Sequence, residues 1–486
     1  PLPRRKLYEK VPLLDCFTAP CKGGCPIHQD IPEYIELCRK GAYASALRLI
    51  TEKNPLPFIT GTICAHNCMT KCMRNYYDEP VNIRATKLVA AEKGYDAYMS
   101  KITPPAPVTD GRKVAVIGGG PTGMSAAYFV GRAGIPVTLF EKADRLGGIV
   151  RQVIPAFRIS DEAIDKDVAL MEKMGVEVKL NTEAPSVAEL KAQGYTHIFF
   201  AVGAWKAGRL DIPGNVVPVI GWLRDMKAGK DVSLGHVAVV GGGNTAMDAA
   251  RAALRAGAKS STLVYRRTKK YMPADAEELE MAIADGVEFL ELVAPVEQKD
   301  GKLICEKMKL GDPDDKGRRK PVPTGEMVEI PCDTVVSAVG EKVESEVFTR
   351  NGITVDEKGI PAFKTNLEGV YAGGDAMRGP ATVVEGIADA QYFANAVIGE
   401  AHKFAIPAKA VATREEAVAK KGVLCESAKC EGDRCLTCNV VCQVCADVCP
   451  NRANVVIELP DGRQQILHVD RMCNECGNCA TFCPSA

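Results

Sequence analysis

Val114-Ala-Val-Ile-Gly-Gly-Gly120 and Val237-Ala-Val-Val-Gly-Gly-Gly243 are two copies of one motif. Each is a short apolar run that ends in a glycine turn and opens an alanine-rich helix, with a second apolar run beyond it. The first copy has the spacing Gly118-x-Gly120-x-x-Gly123. The first glycine permits a tight turn, the second lets backbone approach a pyrophosphate, and the third lets the helix pack on the strand. The helix N-terminus then faces the phosphates. The next apolar run, Val137 to Phe140, ends at Glu141, 23 residues after Gly118, the spacing of a carboxylate that takes a ribose hydroxyl. A lone glycine fingerprint is weak. A strand before it, a helix behind it and an acid in register predict a dinucleotide site, and two copies predict two.

The second copy reads Gly241-x-Gly243-Asn244-Thr245-Ala246, with alanine in place of the third glycine. Its second strand, Ser261 to Tyr265, runs into Arg266-Arg267 where an acid would stand. A carboxylate would repel a 2′-phosphate, whereas guanidinium forks bind phosphate with two prongs. This points to NADP(H), with NAD left open if both arginines are only solvated at a strand end.

Outward from the repeat, the chain divides. Thr103-Pro104-Pro105-Ala106-Pro107 is a linker before the first copy, since repeated proline breaks regular elements. A second linker lies around Pro407. Before the first linker, apolar residues at Ile31, Ile35, Ala42, Ala46 and Ile50 predict helices. Lysine plus arginine and aspartate plus glutamate both number 61, so net charge gives no reason to expect a nucleic-acid partner. No run of about 18 apolar residues occurs, and none is expected to span a membrane. The first ten residues, PLPRRKLYEK, lack the apolar stretch of a secretion signal. The expected location is the cytoplasm.

The 20 cysteines fall in two clusters, from Cys16 to Cys72 and from Cys425 to Cys483, with only Cys305 and Cys332 between. A disulfide scaffold would be short and secreted, so close cysteines here read as metal ligands. Cys473-x2-Cys476-x2-Cys479-x3-Cys483-Pro484 is a complete bacterial ferredoxin run. Thiolates at that spacing hold three corners of a cubane, and the fourth, before proline, reaches the neighbouring one. Cys438-x3-Cys442-x2-Cys445-x3-Cys449-Pro450 departs from the pattern by one residue. The two runs predict one [4Fe-4S] cluster on Cys438, Cys442, Cys445 and Cys483, and a second on Cys449, Cys473, Cys476 and Cys479. Cys435 could replace Cys438. Zinc is the competing occupant of a four-cysteine group, and Cys425 and Cys430 have no assigned role. Cys38, Cys305 and Cys332 read as buried small hydrophobes. No cysteine pair accompanies either glycine motif, which argues against disulfide reduction.

Gly118 to Glu141, Gly147-Gly148, Gly241 to Asp248, Val264-Tyr-Arg-Arg267 with Met272-Pro-Ala274, and Tyr371-Ala-Gly-Gly-Asp375 together resemble the glutamate synthase small-subunit family. The N-terminal half of dihydropyrimidine dehydrogenase shares the pattern. The resemblance covers residues from about 16 to 405. It implies one α/β domain that binds FAD and an inserted one that binds NADPH, with Gly374 and Asp375 in a second FAD signature at the ribityl or pyrophosphate part. Ala201-Val-Gly203 and Ala338-Val-Gly340 resemble the two segments that cross between domains. In that family the N-terminal region carries two cubanes, implying Cys16, Cys21 and Cys72 for one and Cys25, Cys64 and Cys68 for the other. This sequence departs at Leu13, where the first cysteine would stand, and at Lys87, where Gln or Glu would be. Six cysteines do not complete two all-cysteine cubanes. Either one cluster is lost or each has a fourth ligand of another kind, for which Asp15 and His66 are nearby candidates. The tail also resembles that of iron–sulfur subunits named for selenate reductase.

The expected architecture is thus α/β: two Rossmann-type domains between a helical iron–sulfur domain and a small ferredoxin-like one. The expected ranges are 1–105 for the helical domain, 106–212 with 334–405 for FAD, 213–333 for NADPH, 406–424 for a linker and 425–486 for the tail. The expected function is an NADPH-linked electron-supply module that passes electrons through FAD and [4Fe-4S] clusters. They would go to a catalytic or accepting subunit, such as a molybdenum or glutamate synthase-like enzyme, or to chain beyond Pro1 or Ala486. A self-contained NADPH:ferredoxin oxidoreductase and a non-enzymatic redox-sensing or scaffold subunit are the rival readings.

Overall fold

Continuous apolar runs bounded by glycine suit parallel strands buried on both faces, and the computed structural model shows two such sheets. It describes residues 18–76, 78–232, 234–313, 319–399, 431–438, 442–459 and 464–483. The chain forms two units, one of Pro105–Val397 and one of Pro1–Pro104 with Ile398–Ala486.

In the central unit the first sheet has five parallel strands. Their order is β15 (Val370–Ala372), β4 (His197–Phe200), β1 (Val114–Ile117), β2 (Val137–Phe140) and β3 (Glu177–Lys179). Val114, Ala115 and Val116 are fully buried in its middle strand. The second sheet repeats this plan with β6 (Val216–Pro218), β13 (Thr334–Ser337), β7 (His236–Val240), β8 (Ser260–Tyr265) and β9 (Glu288–Glu291), again all parallel. The glycine-bearing strand is central in both.

Strand β13 pairs with β7 from Thr334↔Val237 to Ser337↔Val240. The expected boundary at 333/334 therefore falls one strand early. An apolar strand just before a crossing segment reads equally well for either parallel sheet, and only pairing decides. Beyond it, β14 (Glu341–Lys342) runs antiparallel to β5 (Lys206–Ala207), and Gly208 N–H donates to Gly340 O at 2.6 Å. The two crossing segments thus form one ribbon. A three-stranded antiparallel sheet, β10 (Val293–Lys299), β11 (Lys302–Pro313) and β12 (Arg319–Pro331), is an addition that periodicity did not announce. It buries Leu303, Cys305, Ile330 and Cys332 against Ala238, Val240 and Val264. Cys305 and Cys332 are thus buried small side chains, as read from the sequence.

The other unit opens with helices Ile31–Arg39, Tyr43–Thr51, Pro57–Ile63 and Ile83–Met99. Tyr34, Ile35, Leu47, Ile50 and Ile59 face inward at helical spacing. Gly94 lets the last helix approach the second: a Cβ there would stand 2.5 Å from Tyr43 O. Cys38 is only half-buried, and burial still pushes its thiol up to about 12. The tail contributes helix Glu431–Arg434 and the antiparallel hairpin β16 (Asn454–Glu458) and β17 (Gln464–His468). No helix among the described residues is long and apolar enough to cross a membrane.

Candidate cofactor sites

The first glycine turn leaves β1 and enters helix Pro121–Arg132. Gly118 has φ 107°, and a Cβ there would stand 2.4 Å from Ala201 O. A Cβ on Gly123 would lie 1.8 Å from Gly118 O, so the third glycine is the one that lets the helix close on the strand. Gly148, at φ 53°, brings its backbone against Gly120, where a Cβ would come within 2.8 Å of Gly120 Cα. Thr122, at the start of this helix, touches the second signature. Gly374 has φ 64°, and Cβ atoms on Gly374 or Gly386 would each meet Thr122 Oγ1 at 2.3 Å. Segments some 250 residues apart in sequence thus line one bare-backbone cradle, which suits a dinucleotide pyrophosphate.

Two carboxylates flank the cradle. Glu141 is buried and accepts from Gly119 N–H at 2.6 Å and Ala143 N–H at 2.8 Å. It braces the glycine turn, and each oxygen keeps a lone pair for a sugar hydroxyl. Asp375 heads helix Asp375–Arg378 and accepts from Ala381 N–H at 3.1 Å. Burial pushes its carboxyl up to about 7, and the nearby Glu341, Glu385 and Asp389 add to the rise. Asp389 is tied instead to Gly374 N–H at 2.9 Å and to Arg378.

The second glycine turn is built the same way. A Cβ on Gly241 would stand 2.3 Å from Ala338 O, as one on Gly118 does from Ala201 O. Each Ala-Val-Gly crossing segment therefore closes over one glycine turn. The space above Gly243 and Gly340 is open, the room a phosphate needs against helix Asn244–Arg255. Thr245 is half-buried on the first turn of that helix. Asn244 is exposed and accepts from Asp275 N–H at 3.1 Å, and Ala274 N–H donates to Gly242 O at 3.0 Å, so the Met272-Pro-Ala274 segment packs on the glycine loop.

Tyr265 ends β8 against Gly242 and gives its hydroxyl to Tyr271 O at 2.7 Å. Arg266 is exposed and Arg267 half-buried beside it. Neither forms an ion pair among the described residues, and Arg267 Nε is buried without a hydrogen-bond partner. A buried guanidinium nitrogen left unpaired is costly, which suits a site completed by an anion.

The flavin and nucleotide halves meet through Arg158. Its Nη2 donates to Glu278 Oε1 at 2.6 Å, and Nη1 lies 3.2 Å from Asp248 Oδ1. Burial pushes Asp248 up to about 6, opposed by Arg158. Phe157 stacks under Arg251 and Arg255. No local sequence pattern marks this latch, because Arg158 lies in a loop.

In the iron–sulfur unit, Cys25, Cys64 and Cys68 come together. Burial pushes Cys25 and Cys68 up, Cys68 to about 12, while the Lys87 ammonium pulls both down. Lys87 is 4% exposed, an uncommon place for a lysine. It sits beside thiols that become anions on binding iron. His66 adopts φ 41° between Cys64 and Cys68. Cys16 and Asp15 lie outside the described residues. Cys21 and Cys72 have unexpected company: burial pushes Cys21 up, and Cys435, Cys438, Cys72 and Cys68 push it further.

In the tail, backbone N–H groups aim at sulfur. Ala453 N–H donates to Cys449 Sγ at 3.1 Å and Glu475 N–H to Cys473 Sγ at 3.4 Å. Such bonds favour a thiolate, and the backbone N–H groups of Asn454, Ala453, Asn451 and Arg452 hold Cys449 below the ordinary thiol range. Asn454 Nδ2 donates to Cys445 O and Asn478 Nδ2 to Val448 O, tying the two cysteine runs together. Cys442, Cys445, Cys479 and Cys483 are half-buried and Cys476 is exposed. No three ligating groups among the described residues converge as they would on a lone metal ion. The donor set, all thiol with backbone donors to sulfur, suits clusters.

Residues 112–390 match the family described as pyridine nucleotide-disulphide oxidoreductase, and residues 9–97 match that of dihydropyrimidine dehydrogenase domain II, 4Fe-4S cluster. The chain belongs to the pyridine nucleotide-disulphide oxidoreductase family, with an iron–sulfur domain of the second kind ahead of it. It is 42% identical over its whole length to YgfK of Escherichia coli (strain K12), of which it covers 49%. It is 36% identical over 76% of its length to the NADP(+)-dependent formate dehydrogenase subunit beta of Moorella thermoacetica, covering 58% of that protein. It is 31% identical over 79% of its length to the glutamate synthase [NADPH] small chain of Escherichia coli (strain K12), covering 89% of that chain. The chain thus spans about half the length of YgfK and most of the glutamate synthase small chain. It has no cysteine between Cys72 and Cys305, and the two cysteines of its dinucleotide-binding unit, Cys305 and Cys332, are free and buried.

Proposed function

We propose that this chain is the electron-input module of a larger oxidoreductase, taking electrons from NADPH and delivering them one at a time through [4Fe-4S] clusters. The observation that carries the reading is the matched pair of glycine turns, each closed by an Ala-Val-Gly segment and joined by the β5–β14 ribbon, with Arg266 and Arg267 at the second, unpaired among the described residues. The first turn, with Gly118, Gly120, Gly123, Glu141, Gly148, Gly374 and Asp375, would hold FAD. The second, with Gly241, Gly243, Asn244, Thr245 and Gly340 near it, would hold NADPH. FAD bound there supplies the conversion of a hydride pair into single electrons. The protein's part is to hold the pyrophosphates on bare backbone, to present two guanidiniums to the 2′-phosphate, and to exclude water between the domains.

Electrons would leave to a partner subunit or domain. Two of the relatives carry subunit or chain names. Anaerobic stopped-flow mixing of the flavin-loaded chain with NADPH tests this. Rapid bleaching of the flavin band, with NADH much slower, is expected. A flavin that NADPH does not reduce would reject the reading.

A further inference from the structure

A short tail segment, separated by a long stretch of sequence from the N-terminal cysteines, is seated among them. Helix Glu431–Arg434 docks against the N-terminal helices through Arg434, which is 6% exposed. Its guanidinium donates to Glu79 O at 2.6 Å and to Pro80 O at 3.4 Å, and it pairs with Glu431 at 3.0 Å and Asp78 at 3.4 Å. Glu431 in turn accepts from Asn82 N–H at 2.9 Å. Gly432 fits where a Cβ would strike Arg39 Cβ at 2.5 Å. A buried arginine tied to two carbonyls and two carboxylates is a firm anchor.

The residues that follow this anchor line an apolar cavity with Cys21 and Cys72. Cys435 and Cys438 are two of its walls, and Ile31, Ile35 and Val81 supply apolar lining. Thr437, between the two cysteines, is 4% exposed, lines the same cavity, and keeps its Oγ1 buried with no hydrogen-bond partner among the described residues. Four thiols crowded in an apolar cavity cannot all ionise beside one another unless a positive core sits between them.

We propose that Cys435 and Cys438 complete, with Cys21 and Cys72, the ligand set of a [4Fe-4S] cubane in the N-terminal domain, with the Thr437 hydroxyl donating to one of its sulfurs. This rests on the iron–sulfur reading above and deepens it. It completes one of the two N-terminal cubanes from the chain's far end without Cys16, and leaves Cys25, Cys64 and Cys68 as the thiols of the other. It also takes Cys438 from the tail cubane, where the sequence placed it with Cys442, Cys445 and Cys483. Cys438 has Cys435, Cys442 and Cys72 around it.

Iron counting on the full chain, purified without oxygen, tests the assignment. Cys21→Ser/Cys72→Ser should remove about four irons per chain, and Cys435→Ser/Cys438→Ser the same four. The quadruple variant should lose no more than either pair, and Cys16→Ser should lose none. Additive losses of about eight irons, or loss on Cys16→Ser with retention in Cys435→Ser/Cys438→Ser, would overturn it, as would one zinc per chain in place of iron. Alkylation of the unaltered protein guards against variants that fail to fold. Peptides bearing Cys21, Cys72, Cys435 and Cys438 should become reactive together as the clusters are destroyed by ferricyanide, and independent exposure of the two pairs would refute the site. NADPH bleaching of the flavin should persist in every variant that retains FAD. If it is absent from the unaltered chain, the proposed function fails while the cluster assignment stands.

Discussion

Replacing Arg266 and Arg267 separates nucleotide recognition from fold. Neither side chain bonds to another described residue, so Arg266→Ala/Arg267→Ala should leave thermal stability nearly unchanged, and the backbone bond from Leu292 N–H to Arg267 O survives. The two arginines should not contribute equally. Arg267 is half-buried with an orphaned Nε, so its bond to a phosphate is desolvated and worth about 1.5–3 kcal/mol, roughly 12- to 150-fold in affinity. Arg266 is exposed, so solvent screening leaves it about 0.2–1 kcal/mol, less than about sixfold. The double variant should weaken NADPH by between one and nearly three orders of magnitude. NADH has no phosphate there and should change by less than about threefold. Anaerobic flavin bleaching across a concentration series of each nucleotide gives both constants. Equal losses for NADPH and NADH, or tighter binding of NADH by the unaltered chain, would refute the argument.

Gly374→Ala places a methyl 2.3 Å from Thr122 Oγ1 at φ 64°, and the chain should purify with little bound FAD, measured as flavin per protein; full flavin content would show that the cradle relaxes. Arg158→Leu strips the latch from the buried Glu278 and Asp248 and should lower the stability of the central unit by about 3–5 kcal/mol in denaturant titration, as breaking a buried pair does. Asp375, raised from 3.8 to about 7, holds a proton in the folded flavin-free chain that the unfolded chain has lost. Stability of that form should therefore fall as pH rises from about 4 to 7 and stay low above it, by at most about 4 kcal/mol. Unfolding of the flavin-free chain between pH 5 and 8 should show this slope, and Asp375→Asn should flatten it; an equal slope in the variant would assign the effect elsewhere.

Much of the central unit was legible because its signals are local. Gly118, Gly120 and Gly123 act within one turn, and Arg266-Arg267 follow their strand directly, so spacing alone carried both readings. Two crossing segments were also found by sequence, as Ala201-Val-Gly203 and Ala338-Val-Gly340, though not that they pair with each other. The affiliation of β13 escaped, because an apolar strand carries no mark of which parallel sheet it joins. The three-stranded sheet from Val293 to Pro331 escaped because its strands are half-exposed and carry no repeated motif.

The sequence by itself pointed to two dinucleotide sites, to a phosphate at the second, and to thiol ligands for iron–sulfur clusters. Those properties depend on residues a few positions apart, whose geometry the backbone fixes. Which thiols share a site was decided only in three dimensions. Cys72 and Cys435 are separated by hundreds of residues, and closing such a loop is an entropic cost that spacing does not reveal. It is met by the Arg434 anchor, by Gly432 against Arg39 and by an apolar cavity wall, contacts between segments whose partners no local pattern names.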